Sequence, residues 1–261
     1  MRNFKELLQH GQSFRHGISI VPTSGIAGQY YCEQKVEMEY VHGDIETEAK
    51  LEGEMLHEKL IRMSKTTLDD IISGIKKRKI LVARFPIFAK FSGLILSGIP
   101  DAMVFIRGLP AYLIELKTTK GDTSRLWKDH LVQVRVYGLI LEEIGFDCSR
   151  LKLVVVRIQR QGNIPENYKE SFLRAVISEL LHSEQTFATK TEKSTTHLVN
   201  YTRQDAITEV NWAEAYWLSK REPIPTRNAA KCRACEFGQM CPRSLVKVAG
   251  LHRFLGQVAS T

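Results

Sequence analysis

No stretch of this chain approaches the ~18 consecutive apolar residues that a membrane-spanning helix needs. Its opening, MRNFKELLQHGQSFRHG, is charged throughout and lacks the apolar centre of a secretory signal. It holds no Gly-Lys dipeptide, hence no phosphate loop of the Walker type and no helicase motor of its own. Internal repeats and low-complexity tracts are missing too. Cysteine is sparse: five residues, four of them grouped as one early and three late. These absences lead us to expect a cytoplasmic protein with reduced thiols, in which cysteine serves metal binding before disulfides.

What remains is a globular balance of 43% hydrophobic and 25% charged residues over 261 positions. That length suits one large domain or a core with an appended lobe. A formal net charge of +8 favours a polyanionic partner, nucleic acid ahead of a membrane surface.

The pattern predicts a short helix over residues 1–14 and a loop from Gly17 to Gly28. A helix entered at Ser24 carries Cys32 near its start. A second helix runs from Glu46 to Ile61; Leu56, Leu60 and Met63 share one side, and His57 sits beside that face. The basic run Lys76–Lys79 reads as a solvated turn. Ile80–Phe91 reads as a strand with an edge or bulge at Pro86. Further strands follow at Leu94–Ser97, Asp101–Ile106 and Ala111–Lys117. A helix spans 123–145, a β-branched strand Leu151–Gln159, and a helix 166–189. Residues 190–208 show no assignable pattern, and 210–220 form an aromatic helix. The order implies an α/β fold: a mixed sheet covered on both faces, an α/β/α core.

Chemistry concentrates between Ser97 and Tyr137. Glu115 and Lys117 end an otherwise apolar strand, two residues apart, so they leave the same face roughly 6.6 Å apart. Burial alone would not place two charges there. Asp101 lies fourteen residues before Glu115, across the Gly108-Leu-Pro turn, and a hairpin of that length returns it beside Glu115. Such carboxylates suit Mg²⁺ or Mn²⁺, with the ammonium left to orient a water or a phosphate. His57 is a reasonable third ligand for Mn²⁺. Gln133 and Tyr137 are i and i+4, on one helix face.

Cys232-x2-Cys235-x5-Cys241-Pro supplies three soft ligands, and a tetrahedral site needs four. Cys32 and Cys148 are the candidates for the fourth; Cys148 reads better as a small packing residue. Cys32, at a helix start, favours the thiolate. Ligand type leaves zinc and an iron–sulfur cluster equally open.

Gly98-Ile-Pro-Asp101, Glu115-Leu-Lys117 and Gln133-x-x-x-Tyr137 resemble the motifs of the PD-(D/E)XK nuclease superfamily. Gly53-Glu-Met-Leu-His57 resembles the histidine motif of its RecB-like branch. One early cysteine with a late Cys-x2-Cys-xn-Cys is similar to the iron–sulfur nucleases, above all the CRISPR-associated Cas-four type.

The resemblance implies a restriction-endonuclease-like core over 80–190, a helical segment 18–65 carrying Cys32 and His57, and a cysteine lobe over 209–245, all in one nuclease domain. It implies that His57, Asp101, Glu115 and the Leu116 carbonyl bind Mg²⁺ or Mn²⁺. Lys117 is then the catalytic lysine, and Gln133 and Tyr137 stand by the DNA. Cys32, Cys232, Cys235 and Cys241 would hold a 4Fe–4S cluster, zinc being the alternative. That closes a loop of roughly 200 residues, worth on the order of 5 kcal/mol of chain entropy.

The implied activity is cleavage of single-stranded DNA, mostly from an end, in CRISPR spacer acquisition with integrase proteins as partners. General DNA repair is an equal setting. A non-catalytic DNA clamp and a zinc-bearing RNA-processing nuclease are the readings from other classes.

Overall fold

The structure, a computed structural model, describes residues 13–43, 45, 68–77, 79–159, 166–182, 189–190 and 194–246. The helix expected over 46–61, with His57, lies outside the described residues. So does nearly all of the helix expected over 1–14.

Two sheets form where one was expected. The larger has six strands in the order β2-β5-β6-β7-β9-β8. They are β2 (Ile80–Ala83), β5 (Ala102–Ile106), β6 (Leu109–Thr119), β7 (Lys152–Gln159), β8 (Thr189–Lys190) and β9 (Ser194–Asn200). β6 and β7 run parallel, and every other neighbouring pair in this sheet is antiparallel. The smaller sheet joins β1 (Val21–Pro22), β4 (Leu94–Gly98) and β3 (Ile87–Phe91) in the order β1-β4-β3. The expected strand Ile80–Phe91 is therefore two strands in two sheets. Between them comes Arg84-Phe85-Pro86, where proline cannot donate to a ladder.

The helices are α1 (Thr23–His42), α2 (Leu68–Lys77), α3 (Lys128–Glu143), α4 (Glu166–His182), α5 (Arg203–Trp217) and α6 (Ala229–Ala234). α3 is the crossover that parallel β6 and β7 require. It ends at Gly145, whose φ of 105° suits a residue without a side chain.

The period of two on each strand sorts side chains between two cores. Leu113, Leu153 and Val155 pack with Val132, Val136 and Leu139 of α3. Ile114, Leu116, Val154 and Val156 pack with Phe172, Val176 and Leu180 of α4. The six-stranded sheet thus lies between α3 and α4, the α/β/α layering expected. Each buried aliphatic side chain contributes about 1.5–3 kcal/mol.

Several boundaries differ from expectation: α3 starts at Lys128 and not at 123, and β6 runs on past Lys117 to Thr119. Val21–Pro22 is a short strand pairing with β4, and α1 begins at Thr23 inside the expected loop. The featureless stretch 190–208 holds β9 and the start of α5. β9 reads STTHLVN, with buried Thr and His where apolar residues would have signalled a strand. Thr189, the expected end of the helix after Glu166, lies in β8 instead.

Candidate active site and cysteine lobe

Alternation along β6 puts Leu113, Glu115 and Lys117 on the face that α3 covers, and Ile114 and Leu116 on the face that α4 covers. In the β5–β6 hairpin Ala102 pairs with Ile114, so Asp101 comes level with Glu115. The predicted hairpin return is what the register gives. Both carboxylates are buried, Asp101 2% exposed and Glu115 5%.

Asp101 Oδ2 accepts from the Leu116 backbone N–H at 2.7 Å, which locks the aspartate across the strand pair. Lys117 Nζ lies 2.9 Å from Glu115 Oε1 and donates to Gln133 Oε1 at 2.7 Å. The other end of the Gln133 amide donates to Glu115 Oε1 and to the Tyr137 hydroxyl, both at 2.9 Å. Tyr137 donates in turn toward the Ile99 carbonyl at 3.4 Å. The structure therefore draws Asp101, Glu115, Leu116, Lys117, Gln133 and Tyr137 together. His57 alone of the expected set lies outside the described residues.

The electrostatics follow from burial. Desolvation opposes a charge on Lys117, but the Glu115 carboxylate, then those of Asp101 and Asp129, outweigh it and hold the ammonium pKa above the ordinary lysine value. Burial, then the Glu115 charge, pushes the Tyr137 phenol up, so it stays a neutral donor. Two carboxylates against one ammonium leave Asp101, Glu115 and Lys117 with a formal excess of one negative charge. Hard oxygen donors with that excess fit a divalent cation in kind. Among the described residues, however, no three His, Cys, Asp or Glu side chains form a metal-binding group.

Sequence reasoning missed two residues here. His130 stands three residues before Gln133 on α3, so His130, Gln133 and Tyr137 make one stripe at helical spacing. Burial, then Lys117, Arg157 and His197, push its imidazole pKa down to about 3, so the ring is neutral. Arg157 pairs in register with Lys117 across β6 and β7. The signal for His130 was the i, i+3, i+7 spacing. For Arg157 it was one cation ending an apolar strand, as Lys117 does.

Cys32 stands not near the start of α1 as a whole but directly before its second helical part. Its backbone is extended (φ −171°, ψ 114°) and breaks α1 into two parts. Lys231 Nζ donates to the Tyr31 carbonyl at 2.9 Å and the Tyr30 carbonyl at 3.3 Å, meeting carbonyls beside the break. Tyr31 returns a hydrogen bond from its hydroxyl to the Lys231 carbonyl at 3.2 Å. Arg221 forks onto fully buried Glu33, and the Ile224 N–H donates to Glu33 Oε2 at 2.8 Å. These contacts hold the C-terminal segment against α1 without any metal.

The result is a small recess, partly open to solvent, lined by Cys32, Cys232, Cys235 and Cys241. The Thr226 N–H donates to Cys32 Sγ at 3.3 Å. Gly238 lets the loop fold on itself: a Cβ there would come within 2.4 Å of the Cys232 carbonyl oxygen. The four thiols line one recess and match a four-thiolate group in kind and number, although among the described residues they do not meet as the ligands of a single metal ion. Cys148 takes no part. It is buried, its Sγ lies 3.9 Å from the Gly138 carbonyl, and burial pushes its thiol up to about 12.

The family model described as "PD-(D/E)XK nuclease superfamily" matches residues 29–242. Members are in general metal-dependent nucleases that use Mg²⁺ or Mn²⁺ and act on DNA. No curated protein matches the chain. A solved structure titled "Crystal structure of SSO0001" is similar over 93% of this chain and 95% of its own, at 17% identity and a TM-score of 0.48. No helix among the described residues is long and apolar enough to cross a membrane.

Proposed function

The chain belongs to the PD-(D/E)XK nuclease superfamily, and on that premise we propose that it is a Mg²⁺- or Mn²⁺-dependent deoxyribonuclease cutting single-stranded DNA from an end. The observation that carries this reading is the grip on Lys117: one ammonium held between Glu115 Oε1 and Gln133 Oε1, beside buried Asp101. An isolated structural ion pair at a strand end would not need a helix amide to fix both partners.

In this reading Asp101, Glu115, the Leu116 carbonyl and His57 hold the divalent ion. The ion, when bound, supplies positive charge to the scissile phosphate and lowers the pKa of an attacking water. Lys117 orients that water and meets the negative charge that grows on the phosphate oxygens. Gln133 fixes the side chains of Lys117 and Glu115 in one arrangement, and Tyr137 fixes the amide of Gln133.

The four cysteines support a bound 4Fe–4S cluster, zinc being the alternative, whose work is structural: a crosslink added to the contacts that dock the lobe on α1. Likeness of the cysteine motif to the CRISPR-associated type supports a role in trimming DNA before spacer integration, with integrase proteins as partners, and general DNA repair is an equal setting.

Labelled single-stranded DNA with Mn²⁺ tests the activity. The wild type shortens the strand, and Lys117→Ala binds it without cutting. A wild type that binds and never cuts makes the protein a DNA clamp instead. Visible absorbance of protein purified without oxygen tests the cofactor: a brown protein holds a cluster, a colourless one with bound zinc does not.

A further inference from the structure

β6, β7 and β9 carry Lys117, Arg157 and Thr195 in register. Neighbouring strands stand about 4.8 Å apart, so the three side chains make a row leading away from Glu115 across the sheet. His130, one turn before Gln133 on α3, lies within electrostatic reach of Lys117, Arg157 and His197.

Arg157 is only 2% exposed. Of the five N–H donors of its guanidinium, Nη1 serves the Arg125 carbonyl and Nε has no hydrogen-bond partner. Among the described residues it forms no ion pair with a carboxylate. Asp122 and Asp129 favour its charge from a distance, yet desolvation outweighs them. Its guanidinium also lies 5.8 Å from the centre of the Trp127 ring, which Arg125 stacks on at 4.5 Å; neither contact supplies negative charge. His130 has its Nδ1 buried and lacking a hydrogen-bond partner, while its Nε2 lies 3.8 Å from Asp129 Oδ2.

A buried guanidinium with spare donors is costly unless an anion of several acceptor oxygens completes it. Phosphate meets a guanidinium fork in that way, and a neutral imidazole adds one more donor. We propose that Arg157 and His130 form a phosphate subsite beside Lys117, which takes the phosphate of the nucleic-acid strand next to the one being cut. The identity of the anion rests on the nuclease reading above. The phosphate is either internal to the strand or terminal.

Fluorescence anisotropy with a labelled single strand of about 20 nucleotides, in Ca²⁺, reads the subsite without requiring turnover. Arg157→Gln weakens binding tenfold or more and lowers the slope of log affinity against log salt by about 0.7, the loss of one phosphate contact. His130→Gln weakens it by about threefold. The DNA-free Arg157→Gln protein melts at the wild-type temperature or above it, because an uncompensated charge has gone. Strands ending in 5′-phosphate, 3′-phosphate or two hydroxyls separate the two sources. A loss confined to one end-phosphorylated strand marks a terminal phosphate, and an equal loss on all three marks an internal one.

Weakened DNA binding in a protein that never cuts keeps the subsite and removes the nuclease reading. A wild type that cuts, with Arg157→Gln unchanged in affinity and salt slope, does the reverse. A lower melting temperature in Arg157→Gln, with His130→Gln binding as the wild type does, assigns Arg157 to packing and overturns the proposal.

Discussion

The Gln133 side-chain oxygen lies 2.7 Å from the Lys117 ammonium, a helix amide gripping a strand lysine. The same amide donates to Glu115 and to Tyr137, so one side chain sets the orientation of three others. Gln133→Leu fills much of the same volume but removes every one of these bonds. We expect a loss of about 1–3 kcal/mol from buried polar groups left short of partners. In steady-state cleavage, kcat falls between tenfold and a hundredfold while KM stays within threefold, as befits a positioning residue. An unchanged kcat would sink the positioning role.

Lys117→Ala removes the ammonium itself, and we expect cleavage to fall by about 10²–10⁴ with DNA affinity within threefold of wild type. The pH behaviour follows from its raised pKa. The stabilising effect of the pair is fully present below the unfolded lysine value of about 10.5 and is lost only as pH rises through the higher folded value. Melting curves between pH 7 and 10 therefore show no slope assignable to Lys117. A midpoint that drops in this window for wild type but not for Lys117→Met would contradict the assignment.

The strand of the candidate site was legible because charge interrupts an apolar run there. Glu115 and Lys117 had no packing reason to end β6, and the Gly108 turn fixed where Asp101 would return. The hydrophobic periods gave the layers for the same reason: β7 and α3 obey them. β9 stayed hidden because it buries Thr195, Thr196 and His197, and Thr195 and His197 find their partner outside the strand, in Thr123. The break at Cys32 was hidden because Lys231, which takes up the carbonyls beside it, lies 199 positions away. Arg157 and His130 escaped because one cation in a strand and one imidazole on a helix look ordinary until the register places them beside Lys117.

His130 predicts an acid sensitivity. Its folded pKa, lowered to about 3, lies well below the unfolded value of 6.5. The unfolded chain then binds a proton that the folded protein refuses, so stability falls as pH drops below 6.5. The slope is at most about 1.4 kcal/mol per pH unit for this one group. Urea titrations at pH 7.5, 6 and 5 should show the decline in wild type and a shallower one in His130→Gln. Equal slopes in the two proteins would remove His130 as the cause.

The cysteines should divide into two classes. Cys148→Ala removes one buried sulfur and leaves a small cavity, costing about 1 kcal/mol with no change in bound metal or colour. Cys235→Ser should abolish stoichiometric iron or zinc in elemental analysis. Yet the lobe should stay docked, because the Glu33–Arg221 fork and the Tyr31–Lys231 exchange hold it without thiolate. Limited proteolysis reads the docking. Rapid cleavage near Ile224 in Cys235→Ser would mean that the bound group, not the fork, holds the lobe.

Gly98 connects the small sheet to the helix stripe that we propose to be catalytic. A Cβ at this position would come within 2.4 Å of Tyr137 Cε1 and 2.5 Å of Thr23 Oγ1. Gly98→Ala must therefore displace the Tyr137 ring or the start of α1, at a cost of about 1–3 kcal/mol. Displacing Tyr137 withdraws its hydroxyl from Gln133 and loosens the grip on Lys117 two bonds further on. We expect kcat to fall by about tenfold in Gly98→Ala, although residue 98 touches no reacting group. Tyr137→Ala alone costs packing and the same hydroxyl, but it also vacates the space that the methyl group added by Gly98→Ala needs. The double variant should accordingly be more stable and more active than the two single losses would sum to, a coupling that a double-mutant cycle measures. Strict additivity would mean that Gly98 acts through Thr23 and α1, leaving the catalytic stripe untouched.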